Sequence, residues 1–526
     1  MPIHGKNIIG FSQTAQDSCV MESIDPSNST PLNKFHIASD SEINMAVSKA
    51  SEAFETYRYY SGEKKASFLE AIAEEILALG DELIDTAVKE SGLPAARITG
   101  ERGRTINQLK LFAELLREGS WVEAIIDTTQ PDREPLPKPD IRKMSVPIGP
   151  VVVFTASNFP LAFSTAGGDT ASALAAGNPV IVKAHGSHLG TNELVAGAIS
   201  KAAKKTMMPD GIFSSLNGSG NKLGQQLVKH PEVKAVGFTG SYNGGMAIFK
   251  AASEREEPIP VFAEMGSINP VILLPGKLKE ADDLAKQYAA SITLGVGQFC
   301  TNPGLILGIE SPLLDSFMFA LAKEIEKAVP APMLNEGIHS SFIKSREILL
   351  NQNGVQLLGA AKQTDGVNLG NATVASVSGE EFLSNPHLTE EVFGPFSLVV
   401  TCKDQDELKK VILSTKGQLT STIMAESEEL SQYKEIVNAA QHVAGRVIFN
   451  GVPTGVEVCH AMHHGGPFPS SSNSKYTSVG TDAIKRFVRP LSFQSFPDNA
   501  LPDELKNNNP LGIWRKVNGN LTQNSI

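Results

Sequence analysis

Short apolar runs, rich in β-branched residues and each followed by a helix-length stretch, recur through the middle of this 526-residue chain. Val151-Val152-Val153-Phe154 lies between Gly149-Pro150 and Ser157-Asn158, and Val180-Ile181-Val182 follows the small-residue segment Ala166–Ala176. Ile212-Phe213, Ala235-Val236-Gly237-Phe238 and Val261-Phe262 continue the series. Buried strands alternating with helices need crossover connections, which means a parallel α/β sheet. A second series comprises Val271-Ile272-Leu273-Leu274, Leu305-Ile306-Leu307, Leu398-Val399-Val400 and Val447-Ile448-Phe449, with helices such as Ser316–Ala328 between them. The chain is too long for one small core. The expectation is two α/β domains meeting near Glu264.

Ahead of these series the first forty residues are polar and turn-rich. Phe68, Ile72 and Ile76 predict a helix over Lys64–Leu79, and Ile106, Leu109, Phe112 and Leu116 predict another over Gly100–Arg117. The proline- and charge-rich Asp127–Asp140 reads as an excursion or linker. From Asp498 the chain is polar again and reads as a surface tail.

Composition excludes several classes. A net charge of −11 argues against a general nucleic-acid or anionic-membrane binder. No run approaches the ~18 apolar residues of a membrane span, and the start lacks the apolar core of a signal peptide. Four widely spaced cysteines (Cys19, Cys300, Cys402, Cys459) and no CxxC pair suit a reducing cytoplasm without disulfides or structural zinc. The cluster Cys459-His460-Ala461-Met462-His463-His464 reads as a loop rather than a metal site, since one short loop lacks a further ligand.

Chemistry gathers at a few places. Cys300 sits in Gly295-Val296-Gly297-Gln298-Phe299-Cys300-Thr301-Asn302-Pro303. A buried cysteine is by default an inert small hydrophobe. Here glycines permit close backbone approach, and the residues after it suggest an irregular segment or helix start that would favour a thiolate. Glu264 ends the run Pro260-Val261-Phe262-Ala263, where apolar company predicts a raised pKa and a general base; otherwise it is an exposed strand-end glutamate. Phe238-Thr239-Gly240-Ser241-Tyr242-Asn243-Gly244-Gly245 links a strand to a helix and could bring N–H groups to a pyrophosphate, though it is not GxGxxG and is weak alone. Lys183 ends a parallel strand, where cofactors bind.

Together these segments resemble the aldehyde dehydrogenase superfamily over nearly the whole chain. Thr155-Ala156-Ser157-Asn158-Phe159-Pro160 is similar to its oxyanion-asparagine motif, Lys183 to its ribose-binding lysine, and Phe238-Thr239-Gly240-Ser241 with Gly245 to its cofactor turn. Glu264 matches the general base, Cys300 the nucleophile, and Glu390-Glu391-Val392-Phe393-Gly394-Pro395 the ExFGP motif whose glutamate holds the nicotinamide ribose. The resemblance implies a Rossmann-type cofactor domain (1–120 and 147–263), an α/β catalytic domain (264–468), a small β oligomerisation arm (121–146 and 486–498) and a tail (499–526). It also implies a homodimer or homotetramer. The implied reaction is attack of Cys300 on an aldehyde, with Asn158 and the Cys300 N–H stabilising the oxyanion. Hydride transfer to a nicotinamide and hydrolysis of the thioester through Glu264 complete it.

Departures from the family pattern refine this. Gly186 stands where NAD-preferring members carry a glutamate, so NADP is the preferred cofactor, with NAD possible, and His185, Ser187 or His188 could help bind a 2′-phosphate. Gly186 could also merely shape its loop. Ser267-Ile268 replaces a common glycine–lysine pair, with no functional account from sequence. Within the superfamily Gly100–Thr105, Phe449–Val456 and His464–Pro469 are most similar to 2-oxoglutarate semialdehyde (2,5-dioxovalerate) dehydrogenases. A substrate with a terminal carboxylate wants a fixed cation. Arg104 aligns with a tunnel-lining position, whereas Arg102, roughly 200° away around a helix, would face elsewhere. Phe163 is either tunnel wall or core, and Phe299 is a further substrate contact. The alternatives are an NADP-dependent fatty or general aldehyde dehydrogenase and, in another class, a catalytically idle protein on the same fold.

Overall fold

The computed structural model describes residues 2–526. The first apolar series forms five parallel strands in the spatial order Val261–Glu264, Ala235–Thr239, Val151–Phe154, Val180–Lys183, Phe213–Leu216. Sequence order reverses between Val151–Phe154 and Ala235–Thr239, so the crevice at their C-terminal ends is a topological switch point. The turn-rich N-terminus is more ordered than its composition suggests. Asn7–Ile9 and Ser12–Thr14 extend this sheet antiparallel beside Phe213–Leu216, and Val20–Asp25 pairs with Thr30–His36 in a separate hairpin.

The second series builds another seven-stranded sheet, running from Gln356–Ala360 at one edge through Thr373–Ser378, Phe396–Cys402, Leu305–Ile309, Val271–Leu273 and Gln418–Met424 to Ala444–Phe449. All its pairs are parallel except the first, between Gln356–Ala360 and Thr373–Ser378. Cys402 is the last residue of its strand and is buried.

Both predicted helices are present with shifted ends, Gly62–Ala78 and Ala95–Glu118. The second begins after Pro94, whose extended backbone suits a helix start, and stops at Gly119 in the left-handed conformation. Its earlier start matters, because it brings Arg97 onto the same face as Glu101 and Arg104.

Asp127–Asp140 is the turn of a hairpin rather than a linker, joining Ile125–Asp127 to the antiparallel Ile141–Pro147. Val488–Gln494 pairs with the outer side of that hairpin over seven residues. The C-terminal segment is not a surface tail. Arg515–Val517 lies parallel beside Ile125–Asp127, Asn520–Thr522 adds a further strand, and Leu501, Leu505, Ile513 and Val517 bury against Val122, Ile126 and Met144. Arg515 is also buried, with Nη1 donating to Lys506 O and Nη2 to Asn507 O and Asn524 O. These four apolar residues are separated by asparagines and prolines that interrupt any regular element, which is why the segment reads as a tail in the sequence. No helix among the described residues is long and apolar enough to cross a membrane.

Leu505 is fully buried in this small cluster. Leu505→Ala should destabilise the arm by about 2–5 kcal/mol, seen as an earlier first transition in urea unfolding. An unchanged transition would mean that the C-terminal segment contributes nothing to the arm.

Candidate active site

The parallel register sets four strand ends side by side. Phe154 pairs with Lys183 on one side and Phe238 on the other, and Thr239 pairs with Glu264. Lys183 is buried, and burial alone pushes its amino group down to about 8. Next to it His185 stacks on His188, and burial with these two neighbours holds its imidazole well below the ordinary range, hence neutral. His188 Nε2 lies 2.8 Å from Ala156 O, which gives this ring a structural contact. Ser187 Oγ accepts from Asn335 Nδ2 at 2.7 Å and keeps its own proton free to donate. Gly186 approaches only Met21 of the N-terminal hairpin, and no carboxylate follows Lys183 in this loop. Ser241 caps the helix Tyr242–Ser253, its Oγ accepting from Gly244 N, so the exposed turn Gly240–Ser241 opens onto a helix N-terminus.

Cys300 arrives from the other sheet on a strained loop. Gly295, Val296 and Gly297 are all left-handed, with φ of 55°, 57° and 65°. Gly297 lies so close to the second motif that a Cβ there would sit 2.3 Å from the Gly394 carbonyl. Asn302 Nδ2 donates to Gly394 O at 3.2 Å, and Asn269 Nδ2 donates to both Cys300 O (2.8 Å) and Asn302 O (2.9 Å). Asn269 was not legible in the sequence. The unexplained Ser267-Ile268 pair belongs to the same network. Ser267 Oγ donates to Asn269 Oδ1 or Gln418 Oε1 and accepts from Leu419 N, while the Ile268 and Asn269 N–H groups donate to Gln418 Oε1. The side chain of Asn158 reaches this loop too, its Nδ2 donating to Gln298 O at 3.0 Å, two residues before the thiol.

Glu264 is 4% exposed and directly beside the thiol. Its carboxylate, the Cys300 sulfur and the His464 ring place donor atoms within 4.8 Å of one another. His464 Nε2 lies 3.0 Å from Glu264 Oε1 and 3.5 Å from Cys300 Sγ, and Ser478 Oγ donates to Glu264 Oε2. The expected raised pKa of Glu264 is therefore corrected. Burial pushes its carboxyl up, but His464, Ser478 and Cys300 together outweigh that and hold it below the usual carboxylate range. The apolar run before Glu264 could not show partners about 200 residues away. The Cys300 thiol moves the other way, raised well above its ordinary range by burial, then by Glu264 and Glu391, against the pull of Arg104.

The helix Ala95–Glu118 turns Arg97, Glu101 and Arg104 to one face, at i, i+4 and i+7. Glu101 is buried and accepts from Leu161 N (2.8 Å) and Ala162 N (2.9 Å), fixing the loop that carries Asn158. Arg97 lies over the rings of Phe159 and Phe299 and donates to Asn158 O. Arg104 lies over the Phe163 ring at 5.2 Å, and neither its Nε nor its Nη2 has a partner despite being shielded from solvent. Arg102 points elsewhere, donating to Gly80 O. Phe163 also faces the His464 ring at 6.2 Å. The Arg-Glu-Arg spacing at i, i+4 and i+7 was the available signal for Arg97 and Glu101.

On the far side of the thiol, Glu391 packs over Gly266, where a Cβ would meet its Oε2 at 2.3 Å. Burial pushes the Glu391 carboxyl up to about 7. Glu391, Phe393, Phe299 and Gly297 line one cleft of about 380 Å³. From the histidine-rich loop only His464 reaches the centre; Cys459 is free and half-buried, and His460 contacts Thr481.

A family profile described as "Aldehyde dehydrogenase family" matches residues 12–490. The chain is 49% identical over 524 residues to "Alpha-ketoglutaric semialdehyde dehydrogenase 2" of Azospirillum brasilense, covering 99% of each chain. It is 46% identical to "Alpha-ketoglutaric semialdehyde dehydrogenase" of Acinetobacter baylyi, again with 99% of each covered. Among solved structures, a 1-pyrroline-5-carboxylate dehydrogenase from Thermus with bound NAD superposes with a TM-score of 0.79 at 22% identity, covering 93% of this chain and 92% of that one.

Gly297→Ala would force the nucleophile loop off Gly394. Turnover passing through Cys300 should fall about 100-fold, the cost of a misplacement near 1 Å, in protein whose far-ultraviolet circular dichroism is unchanged. Wild-type turnover would show that the loop tolerates the displacement.

Proposed function

The chain belongs to the aldehyde dehydrogenase family, and from that premise we propose that it oxidises 2-oxoglutarate semialdehyde to 2-oxoglutarate, with NADP preferred over NAD. The observation that carries the substrate is Arg104. A guanidinium with two unpartnered nitrogens, shielded from solvent and coupled electrostatically to Cys300, leaves an open position for a carboxylate. The two relatives above bear the name of this activity. An alkyl chain would leave the cation buried and unpaired, which disfavours a fatty aldehyde.

In this reading the semialdehyde enters past Phe163 with its carboxylate on Arg104 and its aldehyde carbon at Cys300. The Cys300 sulfur attacks that carbon as the thiol proton passes to the Glu264 carboxylate and on to water. The Asn158 amide, now at the Gln298 carbonyl, supports the developing oxyanion, a role worth ~3 kcal/mol per donor. Glu264 then takes a proton from water, which attacks the acyl carbon and releases the acid from sulfur. Because His464 and Ser478 keep its carboxyl low, Glu264 is ionised and ready for that step near neutral pH.

The family uses NAD or NADP, which would supply the hydride acceptor for the substrate carbon. The residues suit it. Lys183 and the Gly240–Ser241 turn present N–H groups at the switch point, and Glu391 and Phe393 line the cleft beside the thiol. Glu391 would accept from ribose hydroxyls, and the Phe238–Gly245 segment would carry the pyrophosphate. Lys183 with the His185 and Ser187 donors would take a 2′-phosphate. His185, being neutral, contributes hydrogen bonds and not charge. The same reading has copies pairing through the arm, where Val488–Gln494 is an open sheet edge and Val447 and Phe449 are exposed on another. Four free cysteines accord with a cytoplasmic setting.

Two measurements test it. Arg104→Ala should lose about 30- to 1000-fold in kcat/KM on the semialdehyde, the cost of truncating a buried charge pair, and far less on hexanal; equal loss on both would remove the carboxylate anchor. In wild type, kcat/KM should be higher with NADP than with NAD, and a far higher value with NAD would reverse the cofactor assignment.

A further inference from the structure

His464 occupies a position that the nucleophile and the base both need. Its Nε2 is 3.5 Å from Cys300 Sγ and 3.0 Å from Glu264 Oε1, and the ring is 1% exposed. The backbone holds it there from both sides. His464 N donates to Thr477 Oγ1 at 2.8 Å, and His464 O accepts from Ser478 N at 2.8 Å. The segment that follows runs alongside the end of the Glu264 strand. Ser471 bridges Glu264, Met265 N donates to Ser470 O, and Ser472 N donates to Ala263 O. The ring is therefore fixed by the same strand that fixes the carboxylate. Its other nitrogen, Nδ1, is buried without a partner among the described residues, while Nε2 lies beside the sulfur and Glu264.

We propose that His464 is a catalytic residue, a single N–H donor that follows the negative charge shared between Glu264 and Cys300. With the thiol protonated, Nε2–H faces the Glu264 carboxylate. As Cys300 is activated, the S–H bond breaks, its proton passes to the Glu264 carboxylate and Nε2–H turns to the sulfur anion, which then attacks the aldehyde carbon. The imidazole keeps its own proton throughout, so it exchanges acceptors and is never itself the base. Once the acyl group is on sulfur and Glu264 has released the proton to water, Nε2–H returns to the carboxylate, which is then ready to deprotonate the hydrolytic water. Without such a donor, a thiolate in this place would face two carboxylates in a buried site.

This rests on the assignment of Cys300 and Glu264 in the proposed function, but its test needs neither aldehyde nor cofactor. The charged and titratable groups facing the thiol are Glu264 and Glu391 as carboxylates and Arg104 and Arg446 as cations, and His463 adjoins His464. All of these remain in place in the variants. The rate of Cys300 alkylation by iodoacetamide is followed against pH on the full chain, with the modified residue identified by mass spectrometry. His464→Phe, which keeps a ring but no N–H, should move the apparent thiol ionisation up by at least about one pH unit, tenfold slower alkylation at pH 7. His464→Gln, whose amide nitrogen offers a donor near the Nε2 position but takes up no proton, should stay within about threefold of wild type. Should the phenylalanine variant not fold, His464→Leu provides the donor-free case. A donor-free profile that superimposes on wild type overturns the proposal, as does a glutamine variant that behaves like the donor-free one. If the alkylation shift is found while the semialdehyde is not oxidised, His464 keeps its role and the substrate reading fails alone.

Discussion

A buried negative charge is the constraint around which this site is built. Cys300, Glu264 and Glu391 lie close together away from water, and each anion raises the cost of the next. The structure answers with few polar groups. His464 and Ser478 hold Glu264, and Arg104 is the cation that favours the thiolate. Glu391, where burial outweighs its contact with the Ser267 N–H, sits near 7 instead.

Holding those groups within a few tenths of an ångström explains much of the remaining architecture. The nucleophile loop is fastened to its own sheet through short-range devices: Gly297 against Gly394, the Asn269 amide shared between two carbonyls of that loop, and Gln418 serving two successive backbone N–H groups. Glu101 does the same for the loop carrying Asn158, two N–H groups binding its Oε1 while Arg97 lies 3.8 Å from its Oε2. Each device joins segments more than 30 residues apart. Removing one leaves a buried donor or acceptor unpaired, at about 1–3 kcal/mol each.

Much of the fold was legible because its signals are local. Val151–Phe154, Val180–Lys183 and Val261–Glu264 are strands for reasons contained in four residues each. The strand after Pro510 was missed because Leu501, Leu505, Ile513 and Val517 lie in separate short segments, with asparagines and prolines between them, and each buries against the arm. At the site, Cys300, Glu264, Asn158, Arg104 and Phe163 were all selected from sequence, and the structure brings them to one region. Arg97, Glu101, Asn269 and Ser478 were not selected, and His464 was noticed only as one of several histidines.

The sequence by itself determined the strands of the two central apolar series, that these run parallel, and which side chains stand at their C-terminal ends, since alternation of apolar runs and helices admits little else. Tertiary structure decided the protonation of those side chains. Glu264 was expected to be raised on the strength of its apolar neighbours in the chain. It is lowered because the segment from His464 to Ser478, some 200 residues on, folds back along its strand and delivers a ring nitrogen and a hydroxyl. Electrostatic environment depends on distance in space at low dielectric, and one chain read in order does not contain those distances.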